Sequence, residues 1–332
     1  MLRGHLRQVT ETRGGGDQEH RCARWLRSHQ GVRGRHDGGD GVSRPRDGAA
    51  APVLVTGATS GIGLELSRQL VERGFRVFGG ALPGEDSTAL DETGSTLVPL
   101  DVTDSDSLAE ARAVVEGHLG REPLWGLVNN AGVVDAGPVE MMDLRETRRV
   151  FDVNVLGVLA VTQTFLPSIR AAKGRIVNMS SLSGCLAVPF LGAYCASKAA
   201  IESLSDSLRR ELHPFDVDVI IVQPGVTHTP LWSRAEEIDR GRFQGSGYED
   251  ALETVQRQAV GKGRRGMPPW KVAQAILKVL EAERAPTRLR IQRKRSSRLR
   301  YSLLPLVSDR VVDRMVAKRV WGERSAGDGA GE

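Results

Sequence analysis

The 332-residue sequence contains only three cysteines, Cys22, Cys185 and Cys195. They are too few for a disulfide framework and do not have metal-ligand spacing, so they point to a reducing compartment, cytoplasmic in the simplest case, and to no metal site. No run approaches the roughly 18 apolar residues of a membrane span, which argues against an integral membrane protein. The first residues lack the apolar core of a secretory signal, and Asp17, Glu19, Asp37, Asp40 and Asp47 argue against a transit peptide. No internal repeat stands out, and no nucleic-acid motif accompanies the net charge of +5.

What is present suits one sizeable core: 40% hydrophobic and 26% charged residues are ordinary globular values. The charge is unevenly spread. Residues 1–48 carry ten Arg against six acids, residues 284–300 carry eight bases and no acid, and residues 49–283 are net −7. The basic character therefore sits at the ends of an acidic body, which argues against a nucleic-acid partner. Residues 1–48 also hold ten glycines and almost no apolar periodicity. Such a segment cannot bury enough surface to offset its ordering entropy, so it is expected to be a disordered extension.

From Pro52 the pattern changes. Short apolar runs at Val53–Val55, Phe75–Phe78, Thr96–Leu100, Leu124–Asn129, Arg175–Met179 and Val217–Val222 have strand character. Amphipathic stretches after Gly61 and near 105–119, 143–170, 194–213 and 269–283 have helical character. The alternation predicts an α/β chain whose parallel sheet is covered by helices on both faces. Residues 223–268 are glycine-rich and weakly periodic, which suggests a mobile insertion near a site.

Four segments and one asparagine could carry chemistry. Thr56-Gly57-Ala58-Thr59-Ser60-Gly61-Ile62-Gly63 lies between a strand and a helix. There glycines permit a tight turn, and the helix N-terminus presents N–H groups to a phosphate. Asn129-Asn130-Ala131-Gly132 follows another strand end; its residue types suit either a ligand cleft or an ordinary turn. Tyr194 and Lys198, four apart, share a helix face. A nearby ammonium favours a phenolate, so the pair could form a tuned acid/base, although a solvated Tyr and Lys give the same spacing. Ser180-Ser181 closes a strand, where a hydroxyl could reach a substrate oxygen or simply form a turn. Asn154 is a mid-helix asparagine, a mildly unfavourable position that suggests a polar task.

In this order the motifs are specific. Residues 52–291 resemble the short-chain dehydrogenase/reductases through Thr56–Gly63, Asp101-Val102, Asn129–Gly132, Ser181 with Tyr194 and Lys198, and Pro224-Gly225 followed by Thr229. The resemblance implies a single doubly wound, Rossmann-type domain over residues 49–291 with a mostly parallel seven-stranded sheet. It implies that Tyr194 exchanges a proton with the substrate oxygen and Ser181 orients that oxygen. Lys198 would lower the tyrosine pKa and bind the nicotinamide ribose, and Asn154 would hold a water joining Lys198 to solvent. Asp101 and Val102 would flank the adenine, Asn129, Ala131 and Gly132 would line the cofactor cleft, and Val226 and Thr229 would contact the carboxamide. The implied activity is hydride transfer between NAD or NADP and an alcohol or carbonyl. The look is nearest to the retinol, hydroxysteroid and 3-hydroxybutyrate dehydrogenase branch. A non-catalytic nucleotide-binding scaffold or sensor is the alternative, disfavoured because Tyr194 and Lys198 are both kept.

Several features inform cofactor, substrate and partners. The second strand ends Phe78-Gly79-Gly80-Ala81-Leu82 with neither acid nor base, Ser60 stands where many NADP users place Arg, and Glu85 and Asp86 follow; together these favour NAD. Residues 226–268, with Leu231, Trp232, Ile238, Phe243 and Met267, are expected to shape an apolar substrate pocket. Cys185 and Cys195 are expected to be small packing residues. Residues 292–332 join a basic stretch to an amphipathic helix. That helix could touch an anionic membrane surface through 293–321, or could cover an apolar patch of its own domain or of a partner subunit. The resemblance also implies a homodimer or homotetramer.

Overall fold

The computed structural model describes residues 51–233, 240–264, 266–293 and 307–322. The segment 1–48, Ile238 and the basic run from Lys294 to Arg300 lie outside the described residues.

A parallel sheet of seven strands organises the chain: β1 (Pro52–Val55), β2 (Arg76–Ala81), β3 (Thr96–Pro99), β4 (Gly126–Asn129), β5 (Arg175–Met179), β6 (Asp218–Pro224) and β7 (Arg288–Ile291). Their spatial order is β3-β2-β1-β4-β5-β6-β7, and every pairing is parallel. The crossovers contain helices α1 (Gly61–Glu72), α2 (Thr88–Asp91), α3 (Ser105–Leu119), α4 (Leu144–Phe151), α5 (Val158–Ala171), α6 (Gly192–Leu212), α7 (Pro230–Ser233), α8 (Glu249–Arg264) and α9 (Pro269–Glu281). A last helix, α10 (Asp309–Trp321), follows β7. This is the doubly wound arrangement. The strand order reverses between β1 and β4, which opens a crevice at the carboxyl ends of those two strands.

Strand alternation divides the core. Val53, Val55, Val77, Val177, Ile220 and Val222 point to one face, against Leu66 and Leu70 of α1 and Val272, Ile276 and Leu280 of α9. Leu54, Phe78, Leu127, Ile176 and Val219 point to the other, against Leu108 and Val115 of α3 and Val161, Phe165 and Ile169 of α5. Burial on both faces explains why these strands are near-continuous apolar runs rather than alternating ones.

Three expectations change. The stretch 143–170 is not one regular helix: a π-helical turn at Asp152–Gly157 separates α4 from α5. The run Leu144–Ala171 is 28 residues long and contains an 18-residue window of mean hydropathy 1.4, so by length and composition it could span a membrane. It nevertheless contains Pro167 and packs Val161, Phe165 and Ile169 on the sheet, as a core helix does. Residues 223–268, read as weakly periodic, contain the 16-residue helix α8. Its glycines, Gly261 and Gly263, obscure the pattern in the sequence.

One buried cation ties the sheet to α9. Arg175, the first residue of β5, is 1% exposed. Its guanidinium donates to the carbonyls of Val279 (2.5 Å), Leu280 (2.8 Å) and Ala282 (2.5 Å), and pairs with Asp218 at 3.2 Å. It thereby satisfies the C-terminal carbonyls of α9 and complements the negative end of the helix dipole. Replacing Arg175 with Met is expected to destabilise the protein by about 3 kcal/mol, because buried carbonyls and Asp218 lose their donor. A urea unfolding curve measures this, and a change under about 0.5 kcal/mol would refute the role.

Candidate active site

The turn after β1 is shaped by close approach. Gly61 has φ +57°, a backbone region that favours glycine, and a Cβ there would lie 3.2 Å from Thr229 Cγ2. At Gly63 a Cβ would lie 2.2 Å from the Gly57 carbonyl oxygen, so only glycine lets α1 pack this near its own turn. Thr56 locks this turn to the one after β4. Its hydroxyl accepts from the backbone N–H groups of Asn130 and Ala131, both at 3.0 Å. In return the Asn130 side chain donates to the carbonyls of Thr56 and Gly57, both at 3.0 Å.

Between these turns runs a cleft of about 530 Å³. Its walls include Gly57, Thr59, Ser60, Gly61 and Ile62 from the first turn, Val102, and Asn130, Ala131 and Gly132 from the turn after β4. Ser180, Ser181, Tyr194 and Lys198 line it, as do Pro224, Gly225, Val226 and Thr229. Most residues singled out in the sequence thus meet in one place, from six separate segments of chain.

Tyr194 lies in the first turn of α6 and Ser181 just beyond β5; both line the cleft, and the Ser181 hydroxyl accepts from Ser183 N at 3.1 Å. Both Tyr194 and Lys198 are 5% exposed. Burial pushes the Tyr194 phenol up to about 12, with the nearby Ser181 hydroxyl opposing it. Burial pushes the Lys198 ammonium down to about 8, with Glu202 opposing it. The expected lowering of the phenol by Lys198 is not found: desolvation raises it, and Ser181 rather than Lys198 opposes the rise. Lys198 Nζ stands 5.8 Å from the centre of the tyrosine ring and donates to the Met179 carbonyl at 2.9 Å.

Five residues take places other than those expected. Asn129 does not face the cleft: its side chain donates to Asn178 (2.8 Å) and Thr162 (3.1 Å) in the core. Asp101 turns its carboxylate to Thr103, accepting from both its N–H (2.8 Å) and its hydroxyl (2.7 Å). Thr56 and Gly63 act beneath the first turn rather than on its cleft side. Asn154, in the π turn, is fully buried. It accepts from Val133 N at 2.8 Å and donates to Val133 O at 2.9 Å and to Ser197 Oγ at 3.1 Å. These bonds make it a positioning residue that ties the Gly132 turn to the Tyr194 helix. A π turn is a common device for re-aiming a side chain at a functional site.

The walls also include residues that the motifs did not mark: Leu82, Arg149, Leu186 to Pro189, Val255, Gln258, Val316, Arg319 and Val320. Only the spacing by four of Val312, Val316 and Val320 could have signalled the last of these. Leu231 lines the cleft, whereas Phe243 and Met267 are buried in packing. The Trp232 side chain lies outside the described residues. Cys185 accepts from Gln223 at 3.2 Å and Cys195 from Val188 N at 3.4 Å. Desolvation pushes both thiols up, but only Cys195 is buried as a packing residue; Cys185 is exposed, contrary to expectation.

The site fits a nicotinamide dinucleotide. Ser60, the N-cap of α1, makes no side-chain cap bond, and the residues that carry the first N–H groups line the cleft. Gly61 keeps the passage beside Thr229 open. Together these form the glycine-walled, helix-terminal cradle that a diphosphate requires.

A family model described as short chain dehydrogenase matches residues 51–239. The chain belongs to the short-chain dehydrogenase family. Members of this family are NAD(P)-dependent oxidoreductases acting on CH–OH groups. Retinol dehydrogenase 16 of Mus musculus is 45% identical over 187 residues, covering 55% of this chain and 59% of that protein. The 17-beta-hydroxysteroid dehydrogenase type 6 of Homo sapiens is 38% identical over 224 residues, 63% of this chain and 70% of that one. These relatives set the chain in the retinol and hydroxysteroid branch. A short-chain dehydrogenase structure from Streptomyces avermitilis superposes with a TM-score of 0.63 at 30% identity, covering 81% of this chain and 96% of that one.

Burying Lys198 has a measurable cost. Its folded pKa of about 8 lies below the ordinary 10.5, so the folded state disfavours the cation. The penalty is full below pH 8 and is relieved as pH rises through 8 towards 10.5. Thermal melts of Lys198→Met are expected to exceed wild type at pH 7, with the gap narrowing by pH 10. A constant gap across that range would contradict the burial argument.

Proposed function

We propose that this chain is an oxidoreductase that interconverts an alcohol and its carbonyl with NAD in preference to NADP. The observation that carries the reading is the Ser181–Tyr194 hydroxyl pair beside Lys198, on the wall of a cleft that also contains the N-terminus of α1. Gly57, Thr59, Ser60, Gly61, Ile62, Val102, Ala131, Gly132, Lys198, Val226 and Thr229 would hold the cofactor. When bound, that group supplies the hydride acceptor or donor.

The protein's own part is proton transfer and orientation. A phenol pushed up to about 12 is in its acid form at neutral pH, ready to protonate a carbonyl oxygen. Ser181 would hold that oxygen against Tyr194. In the opposite direction Tyr194 must accept a proton, so alcohol oxidation should accelerate as pH rises. Glu85 lines the cleft just past β2, where its charge opposes a 2′-phosphate, and this supports NAD. Asp86 instead accepts from Thr88.

Leu182, Leu186, Val188, Leu191, Leu231 and Val255 make the rest of the cleft apolar. That lining supports a lipid-like, steroid-like or alicyclic substrate, in keeping with the names of the retinol and hydroxysteroid relatives. We also propose a cytoplasmic homo-oligomer, dimer or tetramer, supported by exposed Leu156, Leu159 and Leu204 on adjoining helices. Peripheral membrane contact through 293–321 is supported by exposed Val311, Met315 and Trp321 beside Arg310, Arg314 and Lys318. Light scattering tests the assembly. Salt-sensitive sedimentation with anionic vesicles, compared with a chain ending at 291, tests the membrane contact; absence of any difference would rule it out.

Tyr194→Phe is expected to lower kcat by about 10³-fold while leaving the Kd for NAD nearly unchanged. Wild-type oxidation should rise from pH 7 to pH 10, with kcat/KM higher for NAD than for NADP. Turnover by Tyr194→Phe near wild-type levels would refute the mechanism, and comparable kcat/KM for the two cofactors would end the NAD preference.

A further inference from the structure

The chain returns to its own active site after the sheet is complete. Helix α10 lies beyond β7, yet Val316, Arg319 and Val320 line the same cleft as Ser181, Tyr194 and Lys198. Val312, Val316 and Val320, spaced by four, form its inward stripe; Val320 is 7% exposed while Met315 on the outer side is 55% exposed.

The helix is held by a third apolar cluster, distinct from the two that flank the sheet. Phe190, Phe243, Ala251, Leu252 and Val320 form it, with Val316 and Val255 packed around them. Phe190 stands four residues before Tyr194, and its ring meets Tyr248 at 5.9 Å and Trp321 at 6.2 Å. Its backbone has φ +65°, a conformation that costs a bulky residue energy unless its surroundings enforce it. Gln258 of α8 and Arg319 exchange two hydrogen bonds, from Gln258 Nε2 to the Arg319 carbonyl (3.1 Å) and from Arg319 Nε to Gln258 Oε1 (3.2 Å). Thirteen residues of helix are marginal alone in water, so these contacts rather than intrinsic propensity hold α10 in place.

We propose that α10 is the outer wall of the substrate pocket, and that Val316 sets how large an apolar body the pocket accepts beyond the reacting carbon. The inference rests on the alcohol–carbonyl reading above and extends it to the substrate's far end. Val316 is half-buried, is branched and apolar, and is not a member of the catalytic set. A larger side chain there takes volume from the distal pocket without touching Ser181, Tyr194 or Lys198. Small alcohols that occupy only the reacting end should not sense the change.

The experiment compares wild type with Val316→Trp and with Met315→Trp, a control on the exposed side of the same helix. The probes are all-trans-retinol, as a large apolar alcohol, and cyclohexanol, as a small one. Val316→Trp should raise KM for retinol about ten-fold or more, leaving cyclohexanol kcat/KM within about two-fold. Met315→Trp should change neither. Equal losses for both alcohols, equal effects of the two variants, or an unchanged retinol KM in Val316→Trp would each overturn the proposal. Retinol binding, followed by its own fluorescence, separates this inference from the catalytic reading. If no alcohol is turned over, the catalytic reading fails. The pocket-wall inference then stands if Val316→Trp alone weakens retinol binding, and falls if binding is absent or unaffected.

Discussion

Two turns leave the central strands β1 and β4 side by side, and everything in the site depends on how they are held. Thr56 and Asn130 hold them with four hydrogen bonds, two accepted by the threonine hydroxyl and two donated by the asparagine amide. The bonds run beneath the turns, on the sheet side. The opposite side is left free for a ligand, and the N-terminus of α1 faces it. Because the strand order reverses here, the two following crossovers pass to opposite faces of the sheet, and no helix closes the gap. The cleft is a product of topology, held open by a small polar lock.

A second polar network extends the lock to the chemistry. Asn129 joins Asn178 of β5, and Asn178 donates to Ser205 of α6 at 2.9 Å. Asn154 joins Val133 to Ser197, also on α6. The helix that carries Tyr194 and Lys198 is thus pinned to β5 and to the π turn by side chains that never face the cleft. Removing any one would leave a buried partner unsatisfied, which costs more than a single bond contributes. The rigidity matters because a general acid must stay within hydrogen-bonding reach of the oxygen it serves. The same packing desolvates Tyr194 and Lys198 and shifts both pKa values towards neutral forms, an energetic cost borne by the rest of the fold.

Much of this was legible in the residues. The apolar runs at Arg175–Met179 and the periodic stretch at 105–119 match β5 and α3, because burial on both sheet faces and a well-capped amphipathic helix each leave a strong local pattern. Tyr194 and Lys198 share a wall because four residues are about one helical turn. Other features had no local signature. Asn129 and Asn130 are identical in type, and only the alternation of β4 sends the first into the core and the second to the turn. Asp101 is drawn to its neighbour Thr103 rather than to the cleft, a choice between two short-range partners. The helix α8 was hidden by its glycines, and the π turn by an otherwise continuous periodicity.

The sequence by itself determined the sheet, the glycine turn and the order of the reactive side chains, since each depends on spacing within one segment. Only the tertiary structure decided which polar groups face a ligand and which tie the fold together, because that depends on residues far apart in the chain. It also decided the fate of the basic and amphipathic tail. Arg288 pairs with Glu202 and Asp206 of α6, so part of the basic edge is neutralised against the body. Beyond it α10 turns back to the cleft, where Val316 and Val320 pack into the apolar cluster of Phe190, Phe243, Ala251 and Leu252.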